Sequence, residues 1–145
     1  MKLNQLTGDI QGEGGDALVS GFAIDHRKVA PGTIFGAFQG ARVNGEDYIP
    51  AAIAAGAIAV VARPEAVVDG AVHIAANDPR EAFARAAAAF FAPFPPTCVA
   101  VTGTNGKTST AWWLAEALNT LPHVDGITSS PCAVIGTLGV GVPPE

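Results

Sequence analysis

The segment at residues 102–109, Thr-Gly-Thr-Asn-Gly-Lys-Thr-Ser, most strongly limits what this chain can fold into. It follows a short β-branched run at residues 98–101, which is typical of a buried parallel strand. The run after it predicts an amphipathic helix in which Glu116 and Asn119 face water. The inward stripe of that helix consists of Ala111, Leu114, Ala115, Leu118 and Leu121. A strand, a glycine-rich loop and a helix in this order favour a phosphate-binding loop.

The glycines and the lysine of this loop indicate ATP with Mg²⁺ as its ligands. Gly103 and Gly106 would let backbone N–H groups approach phosphate, and Thr108 would coordinate the metal. Lys107, the candidate catalytic residue, would neutralise charge on the β- and γ-phosphates. The predicted cradle consists of Gly103, Thr104, Asn105, Gly106, Lys107, Thr108 and Ser109. Val101 replaces the first glycine of the longer motif, so a plain strand-to-helix turn is the alternative.

Composition and charge narrow the class of protein. Hydrophobic residues make up 49% of the chain and charged residues 14%, which favours a folded domain over disorder. A net charge of -5 without basic runs argues against nucleic acid or an anionic membrane as partner. We expect a cytoplasmic protein, because no signal peptide or membrane-spanning run is visible. Cys98, Cys132 and the histidines show no metal-ligand spacing.

The first two thirds of the chain alternate strand-like and helix-like runs, which indicates an α/β unit. Asp78 is the expected N-cap of a helix that reaches about Phe91, with Pro79 first and Glu81 as reciprocal capping partner. An earlier helix is predicted at residues 50–56. The predicted strands lie at residues 19–24, 33–38, 57–62 and 72–76.

Three prolines within residues 93–96 predict a hinge between two domains, since proline continues neither a helix nor a sheet ladder. We expect residues 1–92 to form the first domain. Residues 97–145 then contain one strand, one helix and another strand near residues 133–135. A doubly wound nucleotide-binding sheet needs more strands, so the second domain is expected to be the truncated start of a P-loop ATPase domain.

Two blocks, one on each side of the prolines, resemble the Mur ligase family. Residues 23–35, Ala-Ile-Asp-His-Arg-Lys-Val-Ala-Pro-Gly-Thr-Ile-Phe, are similar to the Asp-Ser-Arg and Pro-Gly-Asp-Leu-Phe signatures of the UDP-binding domain. The similarity continues through Gly40, Asn44-Gly45 and Tyr48-Ile49 to residues 51–57. The phosphate loop and residues 135–139, Ile-Gly-Thr-Leu-Gly, resemble the start of the family's ATPase domain. The Gly-Thr-Asn-Gly-Lys-Thr form favours the member that adds the third peptide residue over the next ligase.

The resemblance implies a small N-terminal α/β UDP-binding domain followed by the start of a P-loop ATPase domain. It implies an ATP-dependent amide ligase of peptidoglycan synthesis, and so of cell wall biogenesis, cell shape and cell division. Such an enzyme adds an amino acid to UDP-N-acetylmuramoyl-L-alanyl-D-glutamate through an acyl phosphate. We expect a monomer, and no ligase activity from this chain alone.

The resemblance also implies which residues bind the nucleotide sugar. Ile24 and His26 stand where the family contacts uridine, with Arg27 close by. The short loop that meets the nucleotide sugar consists of Ala41, Arg42 and Val43. His26 replaces the usual serine, and Asn44 replaces an aspartate in a turn where asparagine tolerates the left-handed region. The alternative for residues 25–27 is a turn with a local ion pair.

Two further functions remain open from the sequence alone. Residues 1–92 could form a UDP-sugar-binding module with no ATP chemistry. The phosphate loop could instead belong to an unrelated P-loop ATPase with an α/β appendage. Binding of UDP compounds and of Mg-ATP distinguishes these functions.

Overall fold

The computed structural model describes residues 1–7, 14–41, 43–95, 97–121 and 131–144. The chain forms two compact units, Met1–Phe94 and Pro95–Glu145. The division falls within the proline-rich segment, which contains neither helix nor strand in its described residues. Each unit has its own helices and strands.

The first unit is built on a four-stranded parallel sheet, which confirms the predicted α/β class. Its strands follow chain order across the sheet: β1 (Gly21–Ala23), β2 (Thr33–Gly36), β3 (Ala57–Ala62) and β4 (Val72–Ala75). β3 is hydrogen-bonded to β2 on one side and to β4 on the other. Because an interior parallel strand is covered on both faces, its unbroken apolar sequence Ala-Ile-Ala-Val-Val-Ala suits this position.

Three helices and two short 3₁₀ turns surround this sheet. The helices are α1 (Leu3–Thr7), α2 (Ile49–Ala54) and α3 (Pro79–Phe91). The 3₁₀ turns, His26–Lys28 and Gly45–Tyr48, follow β1 and β2 respectively. Gly56 connects α2 to β3 at φ +107°, and a Cβ there would lie 2.8 Å from the Cα of Pro31. Only glycine fits this close turn.

The two faces of the sheet carry separate halves of the core. Neighbouring residues point to opposite faces, as Ile34 and Phe35 do in β2. The face packed on α1 and α3 contains Leu3, Leu6, Val19, Ile34, Ala59, Val61 and Ala86. The face packed on α2 contains Phe35, Ala37, Ile49, Ala52, Ala57, Val60 and Ala62. The first unit is therefore a three-layer helix–sheet–helix arrangement.

The sequence-based bounds of these elements need small corrections. β3 has the predicted bounds. β1 begins two residues later and ends one residue earlier than predicted, and β2 ends two residues earlier. α1 was not predicted. It is only one turn and a half long, and it is held to the chain ahead of β1 by the backbone hydrogen bond from Leu3 N to Ala17 O, 3.0 Å long.

The start of α3 confirms one of the two predicted capping contacts. The Asp78 carboxylate accepts a hydrogen bond from the Glu81 N–H at 3.0 Å. The predicted return contact from Glu81 is wrong, because its carboxylate accepts hydrogen bonds from Arg85 Nε and Nη2 at 3.0 and 2.6 Å. A guanidinium one turn along the same helix face offers charged donors, which outcompete a single backbone N–H.

The second unit consists, in its described residues, of one helix and one hairpin. The helix α4 spans Lys107–Thr120 and carries both tryptophans of the chain, Trp112 and Trp113. The hairpin pairs β5 (Val134–Gly136), near the predicted strand, with an unpredicted antiparallel strand β6 (Gly139–Gly141).

The side chain of Asn119 joins α4 to the segments on either side of the hairpin. Its Nδ2 donates to the carbonyl oxygens of Cys132 and Pro143 at 3.1 and 2.8 Å, and its Oδ1 accepts from the Cys132 N–H at 2.7 Å. The prediction that Asn119 faces water is therefore wrong. An amide side chain can satisfy a backbone donor and acceptor at once, which makes it a suitable link between a helix and an extended segment.

Two other predictions for this unit are wrong. Residues 98–101 form no strand, and no described segment of the unit pairs with them. A strand needs a neighbouring strand to satisfy its backbone hydrogen bonds. In the predicted inward stripe of α4, Ala115 is buried but Leu114, Leu118 and Leu121 are exposed. The described hairpin is too small to cover the whole stripe.

Candidate functional site: the carboxyl edge of the sheet and the glycine loop before α4

The loops that leave the four parallel strands meet at one edge of the sheet. Since parallel strands all end at the same edge, the residues after β1, β2, β3 and β4 lie along it. These residues include most of the nucleotide-sugar contacts implied by the family resemblance. In open parallel sheets this edge is the usual position of a ligand site.

His26 lies at this edge, stacked on an aromatic ring that the sequence did not single out as a site residue. The imidazole and the Tyr48 phenol are parallel within 5°, with ring centroids 4.5 Å apart. Each ring belongs to one of the two 3₁₀ turns, His26–Lys28 and Gly45–Tyr48. The contact joins the loops after β1 and β2, and no local sequence pattern pairs these two positions.

Arg27 forms the local ion pair that the sequence left open as an alternative to substrate binding. Its guanidinium donates through Nε and Nη2 to the Asp25 carboxylate, with an Nη2–Oδ2 distance of 2.7 Å. The Arg27 backbone N–H donates to the same carboxylate. These hydrogen bonds hold the pKa of the Asp25 carboxyl well below its usual range. The side chains of Arg27 and of Ile24 remain exposed to solvent.

The loop after β2 presents Ala41 and Val43 to solvent, while Arg42 lies outside the described residues. The loop is tight, because the Gly40 N–H donates to the Val43 carbonyl at 2.9 Å. Asn44 acts differently from the prediction. It lies at φ -91°, outside the left-handed region, and its Oδ1 caps the next 3₁₀ turn by accepting from the Glu46 N–H. Its short polar side chain is the reason it suits this position.

A recess of about 210 Å³ lies between the ends of β2, β3 and β4. Arg80 lines it, with its guanidinium carbon 5.0 Å from the centre of the Phe38 ring, and donates to the Gln39 carbonyl at 3.1 Å. Arg63 forms a two-point ion pair with Glu46 at 2.8 and 2.9 Å. Hydrogen bonding from Arg63 lowers the pKa of Glu46. Sequence reasoning did not single out these residues as site residues, although the position of Arg63 directly after β3 was a usable signal.

The glycine loop before α4 turns sharply at its two glycines. Gly103 and Gly106 lie at φ +144° and +74°, conformations that side-chain-bearing residues rarely adopt. Lys107 is the first residue of α4, and its Nζ folds back to donate to the Gly103 carbonyl. Thr108 is half-buried, whereas Thr104, Asn105 and Ser109 are exposed. The loop therefore brings the predicted cradle residues together at a helix N-terminus.

Comparison with known proteins identifies the family. The sequence profile described as "Mur ligase family, catalytic domain" matches residues 18–96. The chain belongs to the Mur ligase family. This confirms the resemblance seen in residues 23–35, which lie within the matched range.

Two curated relatives and one solved structure share a single protein name. The chain is 61% identical, over 125 residues, to the UDP-N-acetylmuramoyl-L-alanyl-D-glutamate--2,6-diaminopimelate ligase of Zymomonas mobilis, covering 86% of the chain and 24% of that ligase. It is 42% identical over 129 residues to the ligase of the same name from Caulobacter vibrioides, covering 88% and 25%. A solved structure of a ligase of this name superposes with a TM-score of 0.73 at 29% identity, covering 100% of the chain and 29% of that structure.

This Mur ligase chain thus spans about a quarter of the length of the curated relatives it matches. Within the described ranges, no helix is long and apolar enough to cross a membrane.

Proposed function

We propose that this chain supplies the UDP-binding and phosphate-binding parts of an ATP-dependent ligase. The ligase adds 2,6-diaminopimelate, as third residue, to UDP-N-acetylmuramoyl-L-alanyl-D-glutamate in peptidoglycan synthesis. The observation that carries this proposal is the superposition of the whole chain on a ligase of that name. The 61% identity to the Zymomonas mobilis ligase supports the choice of diaminopimelate over another amino acid.

The first unit has the role of the nucleotide-sugar domain in this proposal. Residues 1–92 hold the UDP end at the carboxyl edge of the sheet, and residues 93–96 form the hinge to the ATP-binding part at 97–145. The exposed positions of the edge loops make them accessible to a ligand. Backbone groups at strand ends and the His26 ring offer both donors and acceptors to a uracil edge. The contacts assigned to the nucleotide sugar are Ile24, His26, Arg27, Ala41, Arg42 and Val43.

The glycine loop fits ATP by its backbone and its charge. The positive φ angles of Gly103 and Gly106 turn the chain sharply at the start of α4, where helix N–H groups lack intrahelical acceptors. Lys107 brings its ammonium into the loop and can exchange the Gly103 carbonyl for phosphate oxygens. Thr108 would offer its hydroxyl to Mg²⁺. ATP bound there supplies the phosphoryl group that activates the substrate carboxylate.

Calorimetric titration of the 145-residue chain tests both sites separately. We expect UDP-N-acetylmuramoyl-L-alanyl-D-glutamate and Mg-ATP each to bind. Lys107→Met should weaken Mg-ATP about tenfold or more, because a charge-assisted contact to phosphate is lost. The same variant should leave the UDP-sugar affinity unchanged.

The other outcomes of this titration point to the alternatives. Binding of neither ligand would overturn the proposal. Binding of the UDP-sugar alone favours a nucleotide-sugar module, and binding of Mg-ATP alone favours an unrelated P-loop ATPase.

The chain alone should form no UDP-muramoyl-tripeptide. The described second unit consists of one helix and one hairpin, which offer too few side chains to hold a phosphorylated carboxylate and an incoming amine together. Product formation is followed by chromatography with all three substrates present. Turnover by the purified chain would contradict this expectation.

A further inference from the structure

The two 3₁₀ turns that carry the rings of the His26–Tyr48 stack are each held by a separate set of hydrogen bonds. On the Tyr48 side, Asn44 caps the 3₁₀ turn Gly45–Tyr48, and the Gly45 N–H donates to the Phe38 carbonyl at 2.8 Å. The ion pair between Glu46 and Arg63 ties the middle of this turn to the end of β3. These contacts fix the backbone that carries Tyr48, and α2 begins immediately after this residue.

On the other side, the backbone of His26 is fixed but its ring has few polar restraints. The Asp25 carboxylate caps the 3₁₀ turn by accepting from the Arg27 N–H at 3.0 Å. The imidazole Nδ1 lies 4.0 Å from the Asp25 Oδ1, which is longer than a hydrogen bond. The stack on Tyr48 therefore restrains the plane of the imidazole.

This stack leaves part of the imidazole available to a ligand. The phenol covers one face of the ring, and about a third of the His26 side chain, 31%, remains exposed. A neutral imidazole offers one N–H donor and one nitrogen acceptor at its edge, and a uracil edge has complementary groups. A ring already held in one orientation loses less freedom when a ligand binds.

We propose that Tyr48 is a positioning residue that fixes the His26 imidazole for recognition of the nucleotide of a UDP-sugar. Tyr48 acts through His26. The inference rests on the proposed function, because it assumes that the carboxyl edge of the first unit holds UDP.

A double-mutant cycle tests whether Tyr48 acts through His26. Titration with UDP-N-acetylmuramoyl-L-alanyl-D-glutamate compares the chain with Tyr48→Leu, His26→Ser and the double variant. Tyr48→Leu alone should weaken binding about threefold to tenfold, the range expected for loss of an aromatic pair. In the His26→Ser background, Tyr48→Leu should change the affinity less than about twofold, because no ring remains to be positioned.

Three controls separate positioning from a general loss of structure. Tyr48→Phe keeps the stack and should retain the affinity of the unsubstituted chain. Phe90→Leu removes a packed ring from the opposite face of the sheet and should lower stability without changing UDP-sugar affinity. The NMR signals of the His26 ring should keep their ring-current shift in Tyr48→Phe and lose it in Tyr48→Leu. If Tyr48→Leu does not fold, Tyr48→Met takes its place in the cycle.

The outcomes distinguish this inference from the function on which it rests. Absence of UDP-sugar binding by the unsubstituted chain overturns the proposed function and the inference together. Normal binding with additive effects in the cycle, or an unchanged affinity in Tyr48→Leu, overturns the inference alone.

Discussion

The two units carry similar apolar sequences but bury them to very different degrees. In the first unit, Ile34, Phe35, Val60 and Val61 are all nearly inaccessible to solvent. In the second, the hairpin residues Ile135, Leu138 and Val140 are between 75% and 84% exposed. An apolar periodic pattern therefore predicts that a segment can form a helix or strand. Whether its apolar side chains become buried depends on a second surface that packs against them.

The largest expected difference between the units concerns one isoleucine from each. Ile34→Ala should lower the free energy of unfolding of the first unit by about 2–5 kcal/mol, because it leaves a cavity between β2 and the helices. Ile135→Ala, at an exposed position of β5, should change stability by less than about 0.5 kcal/mol. Urea titration followed by circular dichroism measures both.

These two variants are matched in chemistry and differ only in burial. Similar losses at both positions would mean that Ile135 is covered in solution. The contrast between the units would then be wrong.

A smaller loss is expected from breaking the main link of the second unit. Asn119→Ala removes three hydrogen bonds and leaves backbone groups of Cys132 and Pro143 unpaired, at a cost of about 1–3 kcal/mol. Amide hydrogen exchange should accelerate in α4 and remain unchanged in β3. Asn119→Asp keeps the acceptor for the Cys132 N–H but points a carboxylate oxygen at two carbonyl oxygens, so its acceleration should be at least that of Asn119→Ala. Equal acceleration in both units would show that they do not unfold separately.

The helix starts of the two units allow a third test. α3 has a side-chain cap, whereas α4 begins at Gly106 in the left-handed region with no side-chain cap. Asp78→Ala should lower the stability of the first unit by about 1 kcal/mol, and Asp78→Asn should restore most of the loss. Thermal unfolding measures both variants. An Asp78→Asn protein as unstable as Asp78→Ala would mean that charge, not capping, is the source of the effect.

The smallest effect is expected at Glu46, and it depends on pH. Glu46→Gln removes the ion pair with Arg63 and should lower stability by about 1 kcal/mol or less at neutral pH. The pKa of Glu46 in the folded chain lies below its ordinary value of 4.5. As pH falls, the Glu46 carboxylate therefore binds a proton at a higher pH in the unfolded chain than in the folded chain. The stability contributed by the ion pair is lost as pH falls below 4.5.

The same unfolding measurement in acid checks the sign of this effect. The stability difference between the unsubstituted chain and Glu46→Gln should shrink as the pH approaches about 3. A difference that stays constant over this range would exclude the carboxylate as its source.

Sequence reasoning correctly predicted those elements of the first unit whose signals lie within a few consecutive residues. Pro50, Gly56, Asp78 and Pro79 mark helix ends by their backbone chemistry, and the apolar run of β3 has its predicted bounds. The predicted strand at residues 98–101 and the predicted buried stripe of α4 are wrong. Both predictions assumed neighbouring surfaces that the described residues do not provide.

The candidate site was predictable only in part. The glycine loop is a contiguous motif, and its positive φ angles are those that its glycines suggested. The stack of His26 on Tyr48 and the pairing of Arg63 with Glu46 join loops that follow different strands. Such contacts depend on which strands lie side by side, and this order is a property of the folded sheet.

The positions of the tyrosine and the tryptophans give each unit its own optical signal. Both tryptophans lie on α4, and the single tyrosine of the chain, Tyr48, lies at the carboxyl edge of the sheet. Tryptophan emission arises from the second unit alone, and the near-ultraviolet tyrosine band arises from the first. Selective excitation of tryptophan, at wavelengths longer than tyrosine absorbs, therefore reports on the second unit without a dye, and a change that Tyr48→Phe removes from the near-ultraviolet spectrum reports on the first.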